Sequence, residues 1–496
     1  MQKLFPEQEP VDLSGADHIS VPPEAKPAAF RKFIFFSLIG VLMFLTPIHW
    51  GDKWTIGIGI LADALKAVIQ GYLPLVAVLI VVVSAALTLW ATLLKPKWSQ
   101  SGSAFANIFN VHWIWLLLRV LGAVFIVMIY TQTGPEWVIS KFTGGVILND
   151  LNPVLIPFFF FAVMMLPFLV DYGLMEYIGT LLSKPFQKIF KLPRRSAIDA
   201  SASWLGSGTV GVLITAQQYE KGFYSQREAA IISTSFSLAS IAFSLLIANF
   251  IGIPHLFIPF YFTVVVAGLI AAVIMARIPP LSWKKDTYHV ATGKQIAETI
   301  PAGTSMHTWA VEQGVRRAHT MPGFGKVTKN SLQVLADVYL GLMPVVFAIG
   351  TIALALSEYT PVFTILSYPM VPLLELLQIP EAAKAAPATV VGFADMFLPA
   401  VLGKGIENEM TKFVIACLSL TQVIYMTEVG ALILKSKINV NLAELFLIFV
   451  MRTLITLPII AFMAHFVVFK TASTFQAGVG KMRPGLIIIG ETHHDD

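Results

Sequence analysis

The chain has 496 residues, of which 56% are hydrophobic and only 13% are charged, and its mean hydropathy is +0.74. Soluble domains carry about 25% charged residues, so this composition excludes a soluble globular protein and indicates an integral membrane protein. The net charge of +5 needs no nucleic-acid partner, because the positive-inside rule already predicts basic cytoplasmic loops. The single cysteine, Cys417, excludes an internal disulfide framework.

The first thirty residues are polar and acidic. We therefore expect no cleavable secretory signal and predict a polar cytoplasmic N-terminus over residues 1–29. Farther along, apolar segments of roughly 20 residues, the length that spans a bilayer, predict an all-α polytopic membrane protein with about nine transmembrane helices. The segments are Phe33–Trp50, Ala67–Leu94, Asn110–Tyr130, Val154–Val170, Ala229–Gly252, Ile253–Ala276, Val338–Ser357, Phe413–Thr427 and Thr453–Phe469.

The second half of the chain repeats the first at a constant shift of 187 residues, without a gap from about residue 157 to about residue 247. The two halves share prolines, which fix the ends of helices. Repeated apolar units of this kind are typical of membrane transporters. The matched positions are Pro157 and Pro344, Phe160 and Phe347, Asp171 and Glu358, Tyr172 and Tyr359, Pro185 and Pro372, Pro193 and Pro380, and Glu220 and Glu407.

This repeat divides the chain into predicted domains. A scaffold of three helices is expected over residues 30–135, the first repeat over 152–277 and the second repeat over 333–469. A cytoplasmic insert, 278–332, separates the repeats, and a polar C-terminal tail covers 470–496.

The distribution of charge predicts that the two repeats are inverted in the membrane. The polar segment Arg277–Asn330 is rich in cations and is placed in the cytoplasm, whereas Glu358–Lys412 is acidic and is placed outside. This arrangement requires Ala197–Gln217 and Lys384–Gly403 to enter the bilayer and return as re-entrant hairpins. Their small and hydroxyl residues around a helix-breaking centre favour hairpins, and ordinary helices or surface loops are the alternative. Amphipathic surface helices are expected before the hairpins, at Leu174–Lys191 and Pro361–Ile379.

Polar side chains cluster at equivalent positions of the two repeats. The predicted span after the first hairpin is rich in serine and threonine, and its counterpart carries Gln422, Tyr425 and Glu428. Helix packing is the alternative for any one serine, but paired clusters favour a solute site between the hairpins and these two helices. The predicted solute-binding residues are Ser203, Gly206, Ser207, Gly208, Thr209, Ser235, Ser237, Phe393, Asp395, Gln422 and Tyr425.

Asp395 and Glu428 are ionisable residues in segments that we predict to lie in the membrane. Such residues are costly in lipid and usually face protein or water. We therefore expect both to bind the coupling ion, Na⁺ or H⁺, with a structural pairing role as the alternative. Arg119 is expected to have a structural partner, for which Asp171 and Glu176 are candidates.

The sequence indicates no resident cofactor and no catalysis. The histidines occur singly, without the spacing of zinc ligands, and Gly206-Ser207-Gly208 lacks the lysine of a phosphate-binding loop. No catalytic dyad or triad stands out. We therefore expect no metal site, no cofactor and no enzymatic activity.

Several short motifs resemble a known family. They are Arg31–Phe36 before the first span, Val170–Gly173 at a helix boundary, Leu205–Thr209 in the first hairpin and Gly392–Asp395 in the second. They resemble the Gate domain, also called the nucleoside-recognition domain, and the whole chain resembles the YjiH family of bacterial inner-membrane Gate proteins. The resemblance implies kinship with concentrative nucleoside transporters, in which two inverted repeats with hairpins form the solute site and sodium or protons drive uptake. Those transporters usually bind base and ribose with Gln, Glu and Asn, whereas the first hairpin here offers Ser, Gly and Thr.

The sequence therefore predicts a secondary active transporter of a small polar solute, which is a nucleoside, an amino acid or a related metabolite, with ion coupling. We expect a multi-pass protein of the bacterial cytoplasmic membrane with its N-terminus in the cytoplasm, and a homo-oligomer is left open. The alternative is a non-transporting membrane scaffold or regulatory Gate protein. Its insert, with Trp309, Arg316 and Arg317, would dock a cytosolic partner.

Overall fold

Regular structure in this protein is almost entirely helical. The computed structural model describes residues 21–51, 53–101, 103–205, 208–237, 240–289, 293–294 and 303–469. In these residues seven helices are long and apolar enough to cross a membrane, so the predicted all-α polytopic membrane protein is confirmed. The seven are Lys26–Phe44, Gly57–Leu93, Trp113–Thr131, Glu136–Val170, Pro254–Met275, Phe324–Tyr359 and Leu442–Val468.

The N-terminal part consists of helices with one small β-hairpin. Helix α1 (Lys26–Phe44) is followed by strands β1 (Ile48–Trp50) and β2 (Lys53–Thr55), which pair antiparallel. Helices α2 (Gly57–Ile69) and α3 (Leu73–Leu93) meet at a short 3₁₀ turn. The remaining N-terminal helices are α4 (Ala104–Phe109), α5 (Trp113–Thr131), α6 (Glu136–Ile139) and α7 (Gly144–Val146).

The first predicted span, Phe33–Trp50, is wrong at its C-terminal end, because α1 ends at Phe44 and β1 begins at Ile48. Pro47 lies between them; it has no backbone N–H and disfavours a helical backbone in the residue before it. The apolar residues that follow therefore continue as a strand.

The first repeat follows a short π-helical turn, Ile147–Leu151. Its long first helix leads into an amphipathic helix, a hairpin of two helices, and an interrupted helix whose halves are α12 and α13. The helices are α8 (Asn152–Val170), α9 (Leu174–Phe190), α10 (Ser196–Leu205), α11 (Gly208–Glu220), α12 (Gln226–Ser235), α13 (Ile241–Ile251) and α14 (Phe257–Met275).

Two helices connect the repeats, α15 (Met306–Thr320) and α16 (Phe324–Asp337). Helix α15 packs against α1 and α9. Arg317 of α15 pairs with Asp171 Oδ1 at 3.3 Å and with Glu176 Oε1 at 3.5 Å. Burial raises the pKa of Asp171, and the charge of Arg317 opposes that rise.

The proposed pairing of Arg119 with Asp171 or Glu176 is therefore wrong. Arg119 Nη1 instead donates to Thr88 Oγ1 at 2.9 Å and to the carbonyl of Ile108 at 2.8 Å. Its nearby carboxylate is that of Asp337. The partner of Asp171 and Glu176 could not be chosen from sequence, because it lies in the insert and depends on how α15 folds against α9.

The second repeat has the same order of elements as the first. Another π-helical turn, Val338–Leu342, precedes it. The helices are α17 (Met343–Tyr359), α18 (Val362–Ser367), α19 (Val371–Leu376), α20 (Ala382–Val391), α21 (Leu398–Gly403), α22 (Glu409–Thr421), α23 (Val429–Lys435) and α24 (Leu442–Met463).

Helix boundaries in the two repeats agree with the shift of 187 residues. Helix α8 corresponds to α17, the hairpin α10–α11 to α20–α21, the interrupted helix α12–α13 to α22–α23, and α14 to α24. One difference is the amphipathic element: α9 is continuous, whereas its counterpart is divided into α18 and α19 around Pro369 and Pro372. Pro369 has no counterpart in α9, where the equivalent residue is Leu182, whereas Pro372 matches Pro185 inside the continuous α9. The division therefore follows from Pro369, which removes a helical hydrogen bond.

The repeats also contact one another reciprocally. Helix α11 of the first hairpin packs against α23, and α21 of the second hairpin packs against α13. Each hairpin is therefore held against the interrupted helix of the other repeat.

The inverted orientation of the repeats is testable by cysteine labelling. Lys188 on α9 and Lys384 on α20 are exposed, whereas the native Cys417 is buried. In a Cys417→Ser background, we expect a membrane-impermeant maleimide to label Lys188→Cys from the cytoplasmic side alone and Lys384→Cys from the outside alone. Labelling of both positions from the same side would contradict the inverted arrangement.

Candidate functional site

The second hairpin and the second interrupted helix are joined through their backbones. The tip of this hairpin, residues 392–397, lies between α20 and α21, and the second break, residues 422–428, lies between α22 and α23. The amide of Met426 donates to the carbonyl of Phe393 at 2.9 Å, and the amide of Thr427 donates to that of Ala394 at 3.1 Å. These bonds satisfy backbone groups that the interruption of each helix leaves free.

Asp395 connects the same two segments through its side chain. Its Oδ1 accepts from the amide of Phe397 at 2.7 Å, and its Oδ2 accepts from the hydroxyl of Thr427 at 2.7 Å. Glu428 is the next residue after Thr427, and its carboxylate is close enough to Asp395 for electrostatic repulsion. Both carboxylates are half-buried. Two carboxyl groups therefore lie close together where the hairpin meets the break.

A cavity of about 20 Å³ reaches Asp395 and Thr427 from the side of α17. A buried water needs roughly 10–15 Å³ of such space, so the cavity admits water but not a solute in this conformation. Its other lining residues are apolar and include Val345, Ile349 and Leu398.

The first repeat brings Gly208 and Ser237 together. A Cβ placed on Gly208 would lie 2.8 Å from the carbonyl oxygen of Ser237, so only glycine allows α11 this close to the backbone just beyond the end of α12. A Cβ on Gly211 would overlap the hydroxyl of Ser203, which packs α10 tightly onto α11. Thr209 lies in the first turn of α11. The predicted site residues Gly206 and Ser207 lie outside the described residues.

Gln422 and Tyr425 are both buried in the second break. Gln422 Nε2 donates to the carbonyl of Thr389 at 2.7 Å and to Thr453 Oγ1 at 3.0 Å, which connects the second hairpin to α24. The hydroxyl of Tyr425 donates to the carbonyls of Ser419 at 2.7 Å and Leu420 at 3.0 Å. Tyr425 therefore caps the end of its own half-helix.

Val423 in the second break has a left-handed backbone, with φ of +67°. A β-branched residue rarely adopts this conformation. Strain of this kind persists where the surrounding structure imposes it and is concentrated at functional sites.

Arg452 on α24 lies between the two interrupted helices, and the sequence analysis did not predict it. Its Nε donates to the carbonyl of Thr421 at 3.0 Å, and its Nη1 donates to that of Ser235 at 3.5 Å. Thr421 is the last residue of α22 and Ser235 the last of α12. The guanidinium, which is 0% exposed, therefore bridges the carbonyl ends of one half-helix from each repeat. The signal was present, since Arg452 interrupts an apolar stretch, but the predicted span began one residue later at Thr453.

The predicted site residues thus fall into two neighbourhoods. Around the second break lie Phe393, Asp395, Gln422, Tyr425 and Glu428, and Arg452 beside it binds the carbonyl of Ser235. Ser203, Gly208 and Ser237 lie in and beside the first hairpin. No cluster of three or more His, Cys, Asp or Glu side chains suited to a metal occurs in the described residues.

The fold and this site define a multi-pass membrane protein built from two repeats with hairpins and interrupted helices. The sequence profile of the Gate family, described as nucleoside recognition, matches residues 153–254. The uncharacterized protein BpOF4_10220 of Alkalihalophilus pseudofirmus is 53% identical over 434 residues, which cover 88% of this chain and 94% of that protein. The chain belongs to the same family of Gate-domain membrane proteins, and the predicted resemblance to the Gate domain is confirmed.

Two solved structures of the protein CNTnw also resemble the chain. The inward-facing, substrate-bound state has a TM-score of 0.41 at 10% identity and covers 90% of this chain and 99% of that one. The intermediate 1 state of its N149L variant has a TM-score of 0.39 at 15% identity, with coverage of 88% and 98%.

The close approach at Gly208 predicts a specific cost for a single methyl group. We expect Gly208→Ala to destabilise the protein by about 1–3 kcal/mol, as overpacking does, because the added Cβ meets backbone that cannot rotate away. The matched control is Gly405→Ala, where a Cβ would have no neighbour within 4 Å. Thermal unfolding in detergent measures both variants, and equal melting temperatures would contradict the contact between α11 and the first break.

Proposed function

We propose that this protein is a secondary active transporter of a small polar solute, coupled to Na⁺ or H⁺, in the bacterial cytoplasmic membrane. The observation that carries the proposal is the hydrogen-bonded junction between the second hairpin tip and the second break. Two hairpins and two interrupted helices that contact one another are not needed in a protein that only spans or anchors. Non-helical backbone at membrane depth is tolerated where it is buried in protein or lines a cavity.

The solute site of this proposal lies between the two hairpins and the two breaks. Repeated units that move against one another around a fixed central site are the general mechanism of such transporters. In this chain the reciprocal contacts of α11 with α23 and of α21 with α13 make each hairpin a gate against the other repeat. If the contact of α11 with α23 opened while that of α21 with α13 stayed closed, or the reverse, the solute site would be accessible from one side of the membrane only.

The coupling ion of this proposal binds at Asp395 and Glu428. Asp395 already accepts two hydrogen bonds, which stabilise its carboxylate form. A proton on Glu428 or a Na⁺ between the carboxylates would relieve their repulsion. Such a change in charge would strengthen or weaken the hydrogen bonds between the second hairpin tip and the second break.

The proposed orientation places the N-terminus and the insert in the cytoplasm. It is supported by the cations of the insert and by the acidic counterpart loop of the second repeat. The relative from Alkalihalophilus pseudofirmus is a bacterial protein, which supports the cytoplasmic membrane as the location.

The scaffold alternative loses its main support. Trp309 and Arg317 of the insert, offered as a docking surface, are only 9% and 5% exposed because α15 packs onto α1 and α9. Arg316 lies over the ring of Trp309, 5.1 Å from its centroid. These side chains therefore stabilise the protein itself.

Ion coupling is tested in proteoliposomes with imposed Na⁺ or proton gradients and a labelled panel of nucleosides, amino acids and dipeptides. We expect Glu428→Gln and Asp395→Asn to reduce gradient-driven accumulation by about tenfold or more, with a smaller effect on solute binding. Glu409→Gln is the control, because this carboxylate is half-exposed and pairs with His255 at 2.7 Å.

Accumulation that keeps its ion dependence in both site variants would show that the two carboxylates are structural. Absence of gradient-driven uptake of every panel member by the unmodified protein would overturn the transporter proposal itself.

A further inference from the structure

Three arginines are buried among the described residues, and one of them lacks a carboxylate. Arg317 pairs with Asp171 and Glu176, and Arg119 has Asp337 nearby. Arg452, with 0% exposure, forms no ion pair within the part of the chain that the structure describes.

An uncompensated charge is expensive in the interior of a membrane protein. The carbonyl ends of α12 and α22 offset part of that cost, since a helix carries partial negative charge at its C-terminus. These are partial charges only, so no full negative charge in the described residues pairs with the guanidinium of Arg452. Residues with this combination of burial and unbalanced charge are candidates for binding a charged solute.

The hydrogen-bonding capacity of Arg452 is also unfilled. A guanidinium has five N–H donors in a planar fork, and Arg452 Nη2 has no partner. The hydroxyl of Ser235, whose carbonyl Arg452 binds, is likewise buried without a partner and can donate to an acceptor. Two buried donors without an acceptor, on Arg452 and on Ser235, indicate an anionic ligand.

We propose that the transported solute carries a carboxylate and that Arg452 binds it. This inference rests on the proposed transporter function and names its substrate class. The free edge of a guanidinium matches the two oxygens of a carboxylate in a planar, bidentate geometry. One carboxylate balances the one positive charge at the junction. A phosphate dianion would instead leave excess negative charge near Asp395 and Glu428, and a neutral nucleoside would leave the arginine unbalanced.

The carboxylate preference is testable on the unmodified, full-length protein. Matched pairs of solutes that differ in one group serve as probes: L-leucine and leucinamide, L-alanine and alaninamide, lactate and lactamide, orotidine and uridine. Binding to the folded state raises the melting temperature according to ligand concentration over Kd. We expect the carboxylate of at least one pair to bind about tenfold or more tightly than its neutral partner.

Substitution assigns the preference to Arg452. Arg452→Lys keeps the positive charge but loses the fork, and we expect it to weaken carboxylate binding by about tenfold while binding of the amide stays unchanged. Arg119→Lys is the matched control, a buried arginine in the scaffold that should leave both affinities within about twofold.

Outcomes separate the two proposals. Equal binding of the members of every pair, or tight binding of uridine that Arg452→Lys does not alter, overturns the carboxylate inference and leaves the transporter proposal standing. Binding without gradient-driven uptake of any member overturns the transporter proposal. If Arg452→Lys fails to fold, the paired affinities of the unmodified protein still decide the carboxylate inference.

Discussion

A helix that is interrupted inside a membrane protein must find partners for the backbone groups that the break sets free, because lipid supplies none. In this structure the partners are backbone and side-chain groups of neighbouring segments. The second break pairs with the second hairpin through the amides of Met426 and Thr427, Tyr425 caps the carbonyls before the break, and Arg452 takes the last carbonyls of α12 and α22. The position of each hairpin and of each polar side chain near the centre follows from this requirement.

Arg452 connects the two repeats directly, because its two carbonyl partners belong to different repeats. A movement of one repeat against the other changes the distance between Ser235 and Thr421, and therefore the bonds of the guanidinium. A solute that binds the same guanidinium would be sensitive to that movement. Asp395 and Glu428 also lie near the second break, and Tyr425 interacts electrostatically with both of them and with Arg452. In the proposed transporter, the ion and the solute would therefore bind to neighbouring parts of one polar centre.

The sequence was informative where prolines and small residues determine local structure. Both hairpins lie where the sequence predicted them, and helix boundaries in the two repeats agree with the shift of 187 residues. The predicted spans Ala229–Gly252 and Phe413–Thr427 are instead interrupted, after Ser235 and after Thr421. The sequence analysis did not predict that the second amphipathic helix is divided at Pro369, or that the first span ends before Pro47. A run of apolar residues has the same composition whether it is a helix, two short helices or a strand.

The site was less predictable than the fold. Arg452 was missed because spans were defined by their lack of charge, which excludes the charged residues that function at membrane depth. Gln422 and Tyr425 were predicted on a continuous helix, whereas they lie in the second break, and their bonds to Thr389 and Ser419 depend on how the chain leaves α22. Asp171 and Glu176 were predicted to pair with Arg119, whereas their partner is Arg317 of the insert, which is more than a hundred residues away in sequence.

The most direct test of the central claim is an experimental map of the full-length protein in lipid nanodiscs with the tightest-binding carboxylate of the solute panel. We expect solute density between the two interrupted helices, with a carboxylate within hydrogen-bond distance of Arg452 Nη2 and beside Gln422. Solute density elsewhere, or a protein carboxylate paired with Arg452 at that position, would contradict the claim.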